Sequence, residues 1–105
     1  MNNILPEEAQ KIIKSGEALV VDVRTPAEFA SGHIPGAKNI NINDNSFSEK
    51  VRALDTNANY VINCQSGGRS SRATSIMRGL GFSKAKNLDG GIMAWKNAGL
   101  PVDGL

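Results

Sequence analysis

Two runs of branched and apolar residues, Ala18-Leu19-Val20-Val21-Asp22-Val23 and Tyr60-Val61-Ile62, restrict the fold of this chain more than any other feature. Neither alternates polar with apolar, so each reads as a strand buried on both faces. Such strands need helices on both sides of their sheet, and the pattern supplies them. Residues 6–16 start with proline and two acids, place Ala9, Ile12 and Ile13 at helical spacing, and stop at Gly16. Residues 46–54 predict a second helix, with Ser46 as cap, Glu49 at the capping-box position and Phe47, Val51 and Leu54 apolar. A third spans residues 69–80, with Ala73, Ile76, Met77 and Leu80 on one face and Gly81 as its stop. Residues 92–98 form a fourth, closed by Gly99 and Pro101.

Shorter signals fill the gaps. Arg24-Thr25-Pro26 breaks the first strand and starts a helical turn through Ala27 to Ala30, and residues 31–37 are loop by their glycines and proline. Lys38-Asn39-Ile40-Asn41-Ile42 alternates as a half-exposed edge strand does, and Lys86-Asn87-Leu88 reads as a short strand. Strands that alternate with helices through short loops predict an α/β fold with an open parallel sheet covered on both faces. Ligands of such sheets sit beyond the carboxyl ends of the strands.

At 105 residues, positions 1–105 are expected to form a single domain around one core. No apolar run has the length of a membrane span, and the first residues lack the basic and apolar regions of a signal peptide, so the expectation is a cytoplasmic protein without membrane association. One cysteine and one histidine cannot supply an internal disulfide or a zinc site of the usual type, and neither metal nor cofactor is expected. Between residues 56 and 88 the chain carries Arg69, Arg72, Arg78, Lys84 and Lys86 and no acid. That segment attracts small anions or an acidic protein partner. Nucleic acid is a poor fit, because Tyr60 and Phe82, the aromatic residues there, sit in core-like patterns.

The lone cysteine lies inside that basic segment, in Cys64-Gln65-Ser66-Gly67-Gly68-Arg69-Ser70, where a strand gives way to a loop and a helix start. A loop of this kind turns successive backbone N–H groups and the positive end of a helix into one concavity. Gly67 and Gly68 let the backbone curl, Arg69 adds a planar and permanently charged donor, and a thiol among them ionises readily. With no second cysteine, the sulfur has to exchange with an external molecule. Phosphoryl transfer and sulfur transfer both suit a thiolate in a backbone cradle. Tyrosine-type phosphatases use a longer loop, whereas here four residues, Gln65 to Gly68, separate cysteine from arginine. The smaller pocket matches a persulfide sulfur better than a phosphate.

The sequence resembles the rhodanese family, specifically its single-domain sulfurtransferases. The resemblance rests on the Cys64 to Ser70 loop, on Asp22-Val23-Arg24-Thr25-Pro26-Ala27-Glu28-Phe29 followed by Gly32-His33-Ile34-Pro35-Gly36-Ala37, and on Asp89-Gly90-Gly91 with Trp95, Gly99 and Pro101. It implies a rhodanese-like α/β/α sandwich with a five-stranded parallel sheet, whose first strand is a short piece near Ile4. It also implies that Cys64 accepts a sulfane sulfur as a persulfide. The amides of Gln65, Ser66, Gly67, Gly68, Arg69 and Ser70 would stabilise the sulfur's charge, and Arg69 would orient an anionic donor such as thiosulfate. The implied cycle is ping-pong, with a thiol or cyanide as acceptor, free or on a partner protein. Alternatives on the same fold are a sulfur-carrier or partner-binding module and a phosphatase or arsenate reductase. Asp22, Arg24 and Glu28 are expected to form an ion-pair network that supports the loop. His33 is read as a structural loop residue and Trp95 as core, and Arg72 either widens the positive field or is solvated.

Overall fold

The structure is a computed structural model that describes residues 2–104. Five strands, β1 (Asn3–Ile4), β2 (Ala18–Asp22), β3 (Lys38–Asn39), β4 (Asn59–Asn63) and β5 (Ala85–Leu88), form one sheet in the order β1-β5-β4-β2-β3. Every pairing is parallel. Four helices connect them, α1 (Pro6–Lys14), α2 (Pro26–Ala30), α3 (Phe47–Arg52) and α4 (Gly68–Gly79), and a fifth, α5 (Gly91–Asn97), follows β5.

The apolar runs read from the sequence become β2 and β4, and successive residues do face opposite layers. Val21, Tyr60 and Ile62 join Phe47 and Val51 of α3 and Ala73 and Met77 of α4 in one core. Ala18, Val20 and Val61 join Ala9 of α1 and Ile92 and Trp95 of α5 in the other. Leu19 is the exception. It lies at the amino-terminal side of the sheet and is 57% exposed. Together the two cores give the helix, sheet, helix layering.

Three local readings change. The edge strand pairs only over Lys38 and Asn39, but Ile40 N and Ile42 N still donate to Asp22 O and Val23 O, and both isoleucines are buried. The α3 cap differs too. Ser46 makes no side-chain cap bond, and its amide and hydroxyl instead donate to Asp44 Oδ1 at 2.9 and 2.7 Å. A complete capping box stands at α2, where Thr25 Oγ1 accepts from Glu28 N and Glu28 Oε1 accepts from Thr25 N. In α4 the buried stripe is Ser70, Ala73, Thr74 and Met77, while Ile76 and Leu80 are half-buried. The helix is rotated toward its polar residues because its first turn faces the Cys64 loop.

Register fixes what meets at the carboxyl edge. Asp22 of β2 lies beside Asn63 of β4, so Val23-Arg24 and Cys64 leave the same edge of the sheet from neighbouring strands. His33 serves structure there: its ring stacks on Phe29 at 3.8 Å, its Nδ1 pairs with Phe29 O, and its backbone bridges Asp103. Trp95 is fully buried and its Nε1 donates to Pro101 O. Among the described residues no helix is long and apolar enough to cross a membrane.

Candidate active site

β4 delivers Cys64 to the sheet edge, and the chain turns at once. Gly67 takes φ 116°, a left-handed conformation that L side chains rarely adopt, and α4 begins at the next residue. The turn folds the backbone over the sulfur. Gly67 N donates to Cys64 Sγ at 3.1 Å and Ser70 Oγ lies 3.3 Å from it. Burial pushes the Cys64 thiol up, but hydrogen bonds from the Ser70 hydroxyl and from the amides of Ser70, Gly67 and Ser66 together outweigh it. The thiol is therefore held below its ordinary value.

The other side of the loop is fixed by α5. Ile92 N donates to Cys64 O at 3.0 Å and Met93 N to Gln65 O at 3.1 Å. The approach is so close that a Cβ on Gly91 would lie 2.5 Å from Gln65 O and 2.7 Å from Ser66 N. The Asp89-Gly90-Gly91 motif is thus the seat of the cysteine loop. The amides of Ile92 and Met93, which follow it, hold the carbonyls of Cys64 and Gln65.

Asp22 and Arg24 form a buried ion pair. Arg24 Nη2 lies 2.7 Å from Asp22 Oδ2, and Nε bonds both carboxylate oxygens at 3.0 Å. From there Arg24 reaches outward, Nη2 donating to Gly32 O at 2.7 Å and Nη1 to Gln65 Oε1 at 3.4 Å. Of this pair, Arg24 is the member that touches the loop. Glu28 does not join this pair. Its capping box turns the carboxylate across to Arg69, whose Nη1 and Nη2 grip Oε1 and Oε2 at 2.7 and 2.9 Å. The Arg69 guanidinium holds the Glu28 carboxyl down to about 2 and is itself raised by that carboxylate. Arg69 thus stands at the loop's far end with its charge matched by Glu28. Arg72 is exposed and has no ion-pair partner among the described residues.

Two asparagines escaped the sequence reading. Asn87 of β5 is buried, and its Oδ1 lies 2.5 Å from Ser70 Oγ while Nδ2 donates to Asn3 Oδ1 at 3.1 Å. Asn63, also buried, donates from Nδ2 to Cys64 O at 3.3 Å, and its Oδ1 has no partner. The available signal was a polar residue within each short apolar strand. Among the described residues no three His, Cys, Asp or Glu side chains gather as a metal site. What the loop presents is a buried thiol facing backbone N–H donors.

Known proteins similar to this chain in sequence or fold are numerous. The family model for the rhodanese-like domain matches residues 5–98. A thiosulfate sulfurtransferase GlpE of Ectopseudomonas mendocina is 36% identical over 93 residues, covering 89% of this chain and 83% of that protein. Among solved structures, a rhodanese-related protein from Thermoplasma volcanium superposes with a TM-score of 0.90 at 30% identity, covering 100% of both chains. The human single-domain sulfurtransferase TSTD1 gives 0.81 at 28% identity over 92% of this chain and 96% of that one.

Proposed function

The chain belongs to the rhodanese-like domain family, and from that premise we propose a thiosulfate or persulfide sulfurtransferase with Cys64 as its nucleophile. Relatives named thiosulfate sulfurtransferases supply the donor class. The observation that carries the site assignment is Cys64 Sγ itself, nearly enclosed, accepting from Gly67 N, with Ser70 Oγ 3.3 Å away, and held below the ordinary thiol value.

In the first half-reaction the Cys64 thiolate attacks the outer sulfur of thiosulfate. A new S–S bond forms, the bond to the sulfonate sulfur breaks, and sulfite leaves with the electron pair. The amides of residues 65–70 take up the persulfide's negative charge, and Arg69, braced by Glu28, meets the anionic end of the donor. In the second half-reaction a thiolate or cyanide attacks the terminal sulfur and Cys64 departs as thiolate. No external oxidant enters. No general base is needed where the thiol is already ionised.

Residues 1–105 form one rhodanese domain in this reading, acting in the cytoplasm, where a lone cysteine stays reduced. The acceptor is a small thiol, cyanide or a thiol on a partner protein drawn to the basic segment. Steady-state rates measured over thiosulfate and thiol concentrations test the cycle. Parallel double-reciprocal lines, lost in Cys64→Ser, support it. Intersecting lines, or turnover that survives Cys64→Ser, refute it.

A further inference from the structure

Ser70 Oγ lies within reach of three acceptors: Asn87 Oδ1 at 2.5 Å, Gly67 O at 3.3 Å and Cys64 Sγ at 3.3 Å. A hydroxyl carries one proton, so it satisfies one of them at a time. The short contact gives that proton to Asn87, which turns the lone pairs of Oγ toward the sulfur. That suits a protonated thiol, whose S–H can donate to Oγ. An anionic sulfur needs the opposite, with the hydroxyl proton pointing at it. Oγ and Asn87 Oδ1 would then face each other as two acceptors at 2.5 Å, which is repulsive unless the amide turns over and presents Nδ2–H.

The surroundings allow that turn. Asn87 Nδ2 pairs with Asn3, an exposed amide that can reverse its own orientation. Next to Asn87 is a cavity of about 110 Å³ lined by Asn2, Asn3, Ser71, Thr74 and Ser75, every one of them uncharged. No fixed charge therefore locks the Asn87 amide in one orientation. The charged groups around the loop are two ion pairs, Asp22 with Arg24, which reaches Gln65, and Glu28 with Arg69 on the α4 side.

We infer that Asn87 is a positioning residue whose side-chain amide reverses so that the Ser70 hydroxyl follows the charge on Cys64: it accepts the Ser70 proton while the sulfur is a thiol, and donates to Ser70 Oγ when the sulfur is a thiolate or persulfide. An amide can do both; a carboxylate or an aliphatic group cannot. The inference rests on Cys64 working as a thiolate, but its test reads the thiolate directly. A failure of sulfur transfer would overturn the proposed function without touching it.

The experiment titrates the ultraviolet thiolate absorbance of the full chain against Cys64→Ser as blank. Asn87→Asp replaces the amide by a group that only accepts and so retains the Ser70 proton. The midpoint should rise by about one pH unit, equivalent to a roughly tenfold smaller thiolate fraction on the acid side. Asn87→Ala removes both the acceptor and the donor, leaves the Ser70 proton free to follow the sulfur, and should move the midpoint by less than half as much as Asn87→Asp does. In a Ser70→Ala background, Asn87→Asp should shift the midpoint by less than half as much. The inference is overturned if Asn87→Asp leaves the midpoint in place, or if its shift persists without Ser70 as a through-space charge effect would. It is equally overturned if Asn87→Ala raises the midpoint by a full pH unit, the mark of a merely structural role; this variant decides the matter should Asn87→Asp fail to fold.

Discussion

Replacing Gly91 by alanine tests whether α5 is the seat of the cysteine loop. Two costs can be separated. Gly91 has φ 64°, and an L residue there costs about 1 kcal/mol. The added Cβ would also lie 2.5 Å from Gln65 O, 2.6 Å from Gln65 C and 2.7 Å from Ser66 N, all backbone atoms that cannot swing aside. Overpacking of that kind costs about 1–3 kcal/mol. The sum, about 2–4 kcal/mol, is a large part of the 5–15 kcal/mol or so that holds a domain folded. Gly99→Ala is the internal control, because Gly99 has φ 76° but nothing within 4 Å of its Cβ position. It should incur the torsional cost alone. Thermal unfolding followed by circular dichroism should place Gly99→Ala about 4–8 °C below wild type and Gly91→Ala about 8–32 °C below. The overpacked loop also carries the amides facing Cys64, and its distortion should cost Gly91→Ala thiolate at neutral pH while Gly99→Ala keeps it. Equal melting temperatures for the two variants would refute the close approach of α5 to the loop.

Two further outcomes follow from the ion pairs. Asp22→Asn leaves Arg24, 2% exposed, without its counter-charge and should cost about 3–5 kcal/mol in urea unfolding; a loss below about 1 kcal/mol would show that Arg24 is not held by Asp22. Glu28 is lowered from 4.5 to about 2 in the folded state, so its contribution is present above pH 4.5 and disappears as pH falls toward 2. The pair is a third exposed and screened, which limits its worth to about 1 kcal/mol. Stability curves of wild type and Glu28→Gln should therefore differ at pH 6 and converge near pH 2, and a difference that persists unchanged at pH 2 would contradict the Arg69 pairing.

The sheet was legible because its determinants are local. Val20 and Val21 face opposite layers, a fact that any continuous apolar run in a parallel sheet announces. The Cys64 loop was legible for the same reason, since strand, glycines and helix start are contiguous in the chain. What escaped depends on distance. Glu28 sits 41 residues from Arg69 and only six from Asp22, so proximity in sequence suggested the wrong partner. Asn87 reaches Ser70 across 17 residues, and Gly91 meets Gln65 only because two strand ends stand side by side. The α3 cap was missed on a finer scale. Asp44 and Ser46 both offer a capping oxygen, and spacing alone does not say that Asp44 takes the Ser46 amide.

The central claim is that Cys64 carries sulfur covalently between two half-reactions. Mixing the protein with thiosulfate in the absence of any acceptor tests it most directly, with sulfite and protein mass followed together. One equivalent of sulfite per chain, a mass increase of one sulfur atom on Cys64, and neither in Cys64→Ser are the predicted results. Sulfite release without a sulfur retained on Cys64, or no release until an acceptor is added, would contradict the account.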